Sequence, residues 1–157
     1  MTPSPSTATF DDLGIAPKLL DILHRAKFVT PTPIQRQSIP SAIEGKDLMG
    51  IAQTGTGKTL AFGIPMIQRL AQSQGKSKGL IILPTRELAL QVNDTLKKIG
   101  SSVGLKTAIL IGGESMHKQL KMLSLRPHII IATPGRLIDH MESGRVKLET
   151  TRILVLD

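Results

Sequence analysis

An α/β fold, built on a parallel sheet flanked by helices, is what this chain predicts, and three observations point there. Between residues 10 and 157, short Ile/Leu/Val runs alternate with longer amphipathic segments. The runs lack clean apolar–polar alternation, the pattern of strands buried on both faces. The turn Ala52-Gln53-Thr54-Gly55-Thr56-Gly57-Lys58-Thr59 sits between the first run and a helix-forming segment, the strand–turn–helix order of a phosphate-binding loop.

Taken in order, strands are predicted at Asp47–Ile51, Gly79–Leu83, Lys106–Ile111, His128–Ala132 and Arg152–Leu156. Helices are predicted between them at Leu60–Ala71, Glu87–Ile99, Ser115–Leu123 and Arg136–Met141. Repeated β-α units of this kind imply parallel strands with helices on both faces. Residues 1–9, rich in Pro, Ser and Thr, are expected to form a disordered tail, and residues 10–157 one domain without internal repeat or linker.

Composition narrows the function. The chain has 157 residues, 40% of them hydrophobic, enough to bury a core. No apolar run approaches the length of a membrane span, and the first residues lack the parts of a signal peptide, so a cytoplasmic protein without membrane contact is expected. The absence of Cys excludes disulfides and thiolate metal sites. His24, His117, His128 and His140 show no ligand spacing and read as surface or boundary residues. The net charge of +8 points to an anionic partner, although the basic residues are scattered. With three Phe and neither Tyr nor Trp, the chain cannot stack splayed bases, so any nucleic acid would be held by its backbone.

Each motif has its own chemistry. Gly55 and Gly57 let the backbone curl so that successive N–H groups face phosphate oxygens, and the following helix adds its positive end. Lys58 can reach the β- and γ-phosphates, and the Thr59 hydroxyl can ligate Mg²⁺, so a nucleoside triphosphate is the expected ligand. Ala52 stands where the general pattern has its first Gly. The predicted strands also end on motifs: Pro84-Thr85-Arg86-Glu87-Leu88-Ala89, Gly112-Gly113, Thr133-Pro134-Gly135-Arg136 and Asp157 follow the second to the fifth. In a parallel sheet all these lie on one edge, where such sheets place ligands. Thr133-Pro134 reads as an N-cap and first helical position, a ready anion site with Arg136 nearby. Singly, Pro84–Ala89, Gly112-Gly113 and Thr133–Arg136 are equally plain strand-to-helix turns. Asp157 stands where an acidic Mg²⁺ ligand sits beside such loops. Upstream, Pro31-Thr32-Pro33-Ile34-Gln35 bends the chain into a helix, and an amide at Gln35 can match the N6 donor and N7 acceptor of adenine, with Phe28 on the base face. The alternative there is an ordinary helix entry with a core Phe.

Together these residues resemble the DEAD-box family of ATP-dependent RNA helicases. Pro31–Gln35 resembles the Q motif, with Phe10 like the isolated aromatic upstream of it. Ala52–Thr59 resembles motif I, Pro84–Ala89 motif Ia, Gly112-Gly113 the GG motif, and Thr133–Arg136 motif Ib. Val155-Leu156-Asp157 resembles the start of motif II. The likeness extends over the chain after residue 9 and is greatest to bacterial members. It implies a RecA-like first domain using ATP and Mg²⁺. Phe28, Thr30, Gln35 and Ala52 to Thr59 would bind nucleotide, with Lys58, Thr59 and Asp157 catalytic and the last two on the metal. Pro84, Thr85, Arg86, Gly112, Gly113, Thr133, Pro134, Gly135 and Arg136 would follow an RNA sugar-phosphate backbone. Lys27 departs from the family, where many members carry Gly. The family's catalytic Glu would follow Asp157 directly, and a second RecA-like domain would complete the full-length protein. Residues 1–157 alone are therefore expected to bind ATP and RNA without turnover. Two rivals remain: a P-loop ATPase that meets DNA or protein, and a non-enzymatic, nucleotide-dependent interaction module.

Overall fold

The computed structural model describes residues 9–52 and 57–157. Gln53, Thr54, Gly55 and Thr56 lie outside them, as does the expected disordered tail apart from Thr9, whose hydroxyl accepts the Asp11 N–H at the start of a short 3₁₀ turn. The chain falls into two compact units, Met1–Arg69 and Leu70–Asp157.

The first unit carries α1 (Pro17–Arg25), α2 (Pro33–Ile43) and the start of α3 (Lys58–Gln72). Prolines open α1 and α2 at a first-turn position, where a missing N–H costs nothing. Leu19, Ile22 and Leu23 recur at helical spacing on α1 and are buried, as are Phe10, Leu13 and Ile15 before it and Ile64 and Ile67 on α3. Gln68 of α3 is buried too. Its Oε1 accepts the Ala16 N–H at 2.8 Å and its Nε2 donates to the Gly14 carbonyl at 3.2 Å, fixing the chain that enters α1.

The second unit holds a parallel sheet of β1 (Lys78–Ile82), β2 (Thr107–Leu110), β3 (Ile129–Ala132) and β4 (Thr151–Leu156) in the order β2-β3-β1-β4. Its helices are α4 (Arg86–Gly100), α5 (Met116–Ser124) and α6 (Pro134–Glu142). Register explains the two faces. Leu80 pairs with Ile130, and Ile82 and Leu110 with Ala132, so these residues share one face. That face packs with Leu137 of α6, Leu123 of α5 and Val146. On the other face α4 lies against β2 and β3, and its buried Asn93 accepts the Thr107 hydroxyl at 2.7 Å. Helices on both faces of a parallel sheet are thus observed.

Two expectations about strands need correction. Asp47–Ile51 is not a strand: it joins no ladder among the described residues, and Leu48, Met49 and Ile51 are 51%, 92% and 90% exposed. An apolar run becomes a strand only where a neighbour takes its backbone hydrogen bonds, and none of the described strands does. β4 is only half-buried rather than covered on both faces: Ile153 and Val155 are partly buried, while Leu154 and Leu156 are exposed.

Candidate nucleotide and nucleic-acid sites

In the first unit the loop expected to take phosphate is described from Gly57 onward, and Lys58 and Thr59 form the first turn of α3. Gly57 has φ of 87°, a left-handed conformation that favours glycine. A Cβ there would collide with the Gln35 amide and lie 3.0 Å from the Thr32 hydroxyl, so the loop meets α2 through a position that only Gly can occupy.

Gln35 is what it meets. This side chain is 3% exposed. Its Nε2 donates to the Gly57 carbonyl at 3.1 Å, and its Oε1 accepts the Thr32 N–H at 2.9 Å. An amide carries two N–H donors and two acceptor lone pairs, so one of each remains beyond these bonds. Beside it the Thr32 hydroxyl is buried with no hydrogen-bond partner among the described residues. Phe28 is half-buried, Thr30 exposed and Ala52 half-buried. A glycine cradle, a residual amide donor and acceptor, and an orphaned hydroxyl form a donor set that fits a nucleotide. Gln53, Thr54, Gly55 and Thr56 lie outside the described residues.

In the second unit the remaining motifs fall where expected, at the carboxyl ends of parallel strands. Pro84–Arg86 follows β1, Gly112-Gly113 follows β2, and Thr133–Arg136 follows β3. Asp157 follows β4, its N–H bonded to the Ile82 carbonyl at 3.0 Å. The two helix starts on this edge differ. Thr85 caps α4 by accepting the Leu88 N–H at 3.3 Å, whereas no side chain caps α6, which opens with Thr133 and Pro134. The uncapped end leaves its first N–H groups to an anion.

Glu114 ties the cations of this edge together. Arg86 Nη2 pairs with its carboxylate at 3.2 Å, and Arg136 Nη1 donates to its backbone carbonyl at 3.3 Å. Arg136 Nε also lies 3.7 Å from Asp139. Gly113 has φ of 76°, and a Cβ there would strike the Arg86 guanidinium, so Gly113 lets Arg86 lie against the turn. The Arg86–Glu114 pair is well exposed, so its contribution is small and a phosphate could replace the carboxylate.

Sequence reading missed a buried bridge behind this edge. Gln119 of α5 is 1% exposed. Its Nε2 donates to the Ile111 carbonyl at 2.7 Å, and its Oε1 lies 2.8 Å from His140 Nε2. Ile111 immediately precedes Gly112, and His140 belongs to α6, so one amide links the Gly112-Gly113 turn to the helix that starts at Pro134. Because Gln119 donates to Ile111, its oxygen must accept, and His140 carries its proton on Nε2. Nδ1 is then a buried lone pair with no partner among the described residues. His140, expected at the surface or its boundary, is in fact fully buried, since it lies one turn from Leu137 on the inner face of α6. Burial, then Arg136 and Arg145, push its pKa below the ordinary 6.5, against a weaker pull from Asp139. His24 and His117 are exposed as expected, and His128 is half-buried. The signal for Gln119 was a lone polar residue on the apolar face of a helix, which spacing alone does not distinguish from a solvated one.

The comparisons with known proteins bear on the family and the fold. Residues 32–157 match the DEAD/DEAH box helicase family. The chain belongs to that family. Among relatives of this DEAD-box chain, the ATP-dependent rRNA helicase RRP3 of Yarrowia lipolytica is 47% identical over 152 residues, 96% of this chain and 32% of the relative. RRP3 of Candida albicans is 47% identical over 95% of this chain and 28% of its own length. The chain thus spans about a third of these relatives. Both are fungal, and the expected leaning toward bacterial members gains no support from them. Among solved structures, the RNA helicase Prp28 from Chaetomium thermophilum bound to ADP superposes with a TM-score of 0.86 at 36% identity, over 95% of this chain and 38% of that one. A Dbp5 variant from S. cerevisiae bound to RNA and ADP BeF3 gives 0.81 at 27% identity, over 95% and 38%. The α/β, RecA-like reading of the DEAD-box chain is therefore shown. No helix among the described residues is long and apolar enough to cross a membrane.

Proposed function

We propose that this chain is the nucleotide- and RNA-holding part of an ATP-dependent RNA helicase. The observation that carries the reading is the Gly57 cradle, where a left-handed glycine is closed by the Gln35 amide beside an orphaned Thr32 hydroxyl. Gln35 would read adenine with its remaining donor and acceptor, Phe28 would cover the base, and Thr30 would line the entry. Ala52 to Gly57 would wrap the phosphates. Lys58 would neutralise them, and Thr59 would ligate Mg²⁺. The bound metal would polarise the terminal phosphate. Thr59 and Asp157 belong to different units, and the metal role of each is a separate proposal.

On the sheet edge of the second unit, Thr85, Arg86, Gly113, Gly135 and Arg136 would grip RNA phosphates, with the N-terminus of α6 taking one directly. Pro84, Gly112, Thr133 and Pro134 shape those turns. Backbone contacts of this kind carry affinity without sequence preference. The relatives are named for ribosomal RNA and Dbp5 was solved with RNA, which supports the substrate class. In a full-length protein, a Glu directly after Asp157 and a second RecA-like domain would supply the base and the further cations that turnover of the bound ATP needs. The cytoplasm, expected from sequence, belongs to the same proposal, although relatives named for ribosomal RNA favour wherever ribosomes are assembled.

Calorimetric titration with Mg-ADP and Mg-GDP tests this, since no Trp or Tyr reports by fluorescence. Mg-ADP should bind at least about tenfold more tightly than Mg-GDP, and Gln35→Ala should erase the preference, as one well-placed amide pair is worth about that much. Equal binding of both nucleotides would sink the adenine assignment while leaving the phosphate loop standing.

A further inference from the structure

The amino edge of the sheet, opposite the motifs, carries a feature that nucleotide and RNA binding leave unused. A groove of about 240 Å³ opens where β1, β3 and β4 begin. Lys78, Arg126, Arg145 and Lys147 line it, and no acidic residue does. None of the four makes an ion pair among the described residues, in contrast to Arg86 and Arg136 at the carboxyl edge. Four like charges around one groove give it a positive potential that draws an anion.

The floor is apolar. Leu123, Pro127, Ile130 and Val146 line it, and Leu123, Ile130 and Val146 continue into the core beneath. Arg126 is held at the rim by its backbone. It follows the C-cap of α5 with φ of 54°, a left-handed position usually filled by Gly or Asn, and Pro127 then turns the chain into β3. An arginine there carries backbone strain that glycine would not.

We propose that this groove docks an acidic peptide segment of a protein partner, with an apolar side chain on the floor and flanking carboxylates on the four cations. RNA fits less well. A phosphate backbone has nothing to place on an apolar floor, and residues 70–157 contain no Phe, Tyr or Trp on which a base could stack. The groove also lies at the opposite end of the strands from the candidate RNA motifs, so one strand of RNA cannot pass directly from one to the other. Acidic motifs read by clustered Arg and Lys are a recurrent mode of peptide recognition.

Fluorescence anisotropy with a fluorescein-labelled peptide of Asp-Glu pairs separated by Leu tests the assignment. Arg145→Glu with Lys147→Glu reverses two exposed groove charges, and Lys97→Glu with Lys98→Glu makes the same charge change on the exposed side of α4. The groove reversal should weaken the peptide at least about tenfold, the α4 reversal by no more than about twofold, since coupling between close charge pairs exceeds distant attraction. A peptide with Ser in place of Leu should bind several-fold more weakly, and oligo-uridine binding should change by less than about twofold on groove reversal, because the candidate phosphate contacts lie elsewhere. On the unmodified chain, peptide-induced amide NMR shifts should concentrate at Lys78, Thr150 and Thr151, a result that does not depend on any variant folding. Equal loss in both reversals, indifference to the Leu-to-Ser change, or shifts scattered over the surface would overturn the proposal. Loss of oligo-uridine instead of peptide would make the groove an RNA site.

Discussion

Gln35 and Gln119 sit in different units and make the same kind of joint. Each is buried and donates to a backbone carbonyl at or beside a glycine turn, but Gln35 accepts from the Thr32 N–H at the start of its own helix, whereas Gln119 accepts from His140 of a second helix. Each joint also leaves one buried polar atom unmet, the Thr32 hydroxyl beside Gln35 and His140 Nδ1 beside Gln119. The difference lies in what can reach that atom. The Thr32 hydroxyl lies against Gly57 of the candidate nucleotide loop, so in the proposed function it is the one placed beside a ligand. His140 Nδ1 lies inside the packing of α6, where no ligand arrives, so its cost is permanent and is expressed as sensitivity to protons. An unmet polar group at a loop is readiness to bind, whereas one in a core is a lasting liability.

The largest effect should come from breaking the joint that has no ligand to rescue it. Gln119→Leu strands both the Ile111 carbonyl and the His140 N–H, each costing about 1–3 kcal/mol when buried unmet, so urea unfolding should show a loss of about 2–6 kcal/mol. Adding His140→Leu should recover part of it, because removing both partners is gentler than removing one. Gln35→Ala should cost less stability and act mainly on nucleotide affinity. If the two glutamine variants lose equal stability, the contrast between the joints is wrong.

Much of this was legible in the sequence, for identifiable reasons. Gly113 and Gly57 could be placed because a left-handed turn before a helix leaves a glycine signature. The strands β1, β2 and β3 were legible because their runs of Ile, Leu and Ala are buried locally, whichever chain segment covers them. Asp47–Ile51 was misread because its apolar run carries no record of whether a neighbouring strand exists to pair with it. Gln119 and His140 were missed because each is a single polar residue whose partner lies 21 positions away, and only three-dimensional packing shows that they meet. For Gln35 the bend at Pro31 and Pro33 announced a fixed side chain, but not that Gly57 would already hold it.

Protonation separates the two joints more finely. His140 has its pKa lowered by burial, then by Arg136 and Arg145, so the unfolded chain takes up a proton at higher pH than the folded one. His128 behaves the same way through burial, Lys78 and Lys106, and its Nδ1 accepts the Lys106 N–H at 3.0 Å, a bond that protonation there would break. For a lowered pKa, stability is fully present above the unfolded value of 6.5 and is lost as pH falls from there toward the folded value. Urea midpoints should therefore drop on acidification below about 6.5, and His140→Gln should flatten that drop while keeping a donor to Gln119. An unchanged pH profile in the variant would mean that the orphaned Nδ1 carries no proton-linked cost.

The smallest effect tests the ligand-facing joint directly. Thr32 precedes α2 with an extended backbone, φ of −70° and ψ of 163°, which Val tolerates, and its hydroxyl sits in capping-box position over the Gln35 N–H without completing a hydrogen bond to it. Thr32→Val removes the unmet group at nearly constant volume, so the ligand-free chain should gain a few tenths to about 1 kcal/mol of stability rather than lose it. The same change should weaken Mg-ADP by a few-fold, because the hydroxyl that gains a partner on binding is gone. Gain in stability and loss in affinity must occur together. A stability loss of about 1 kcal/mol would instead show the hydroxyl acting as an N-cap. In that case no buried polar group among the described residues of the first unit is left unmet, and the readiness to bind rests on Gln35.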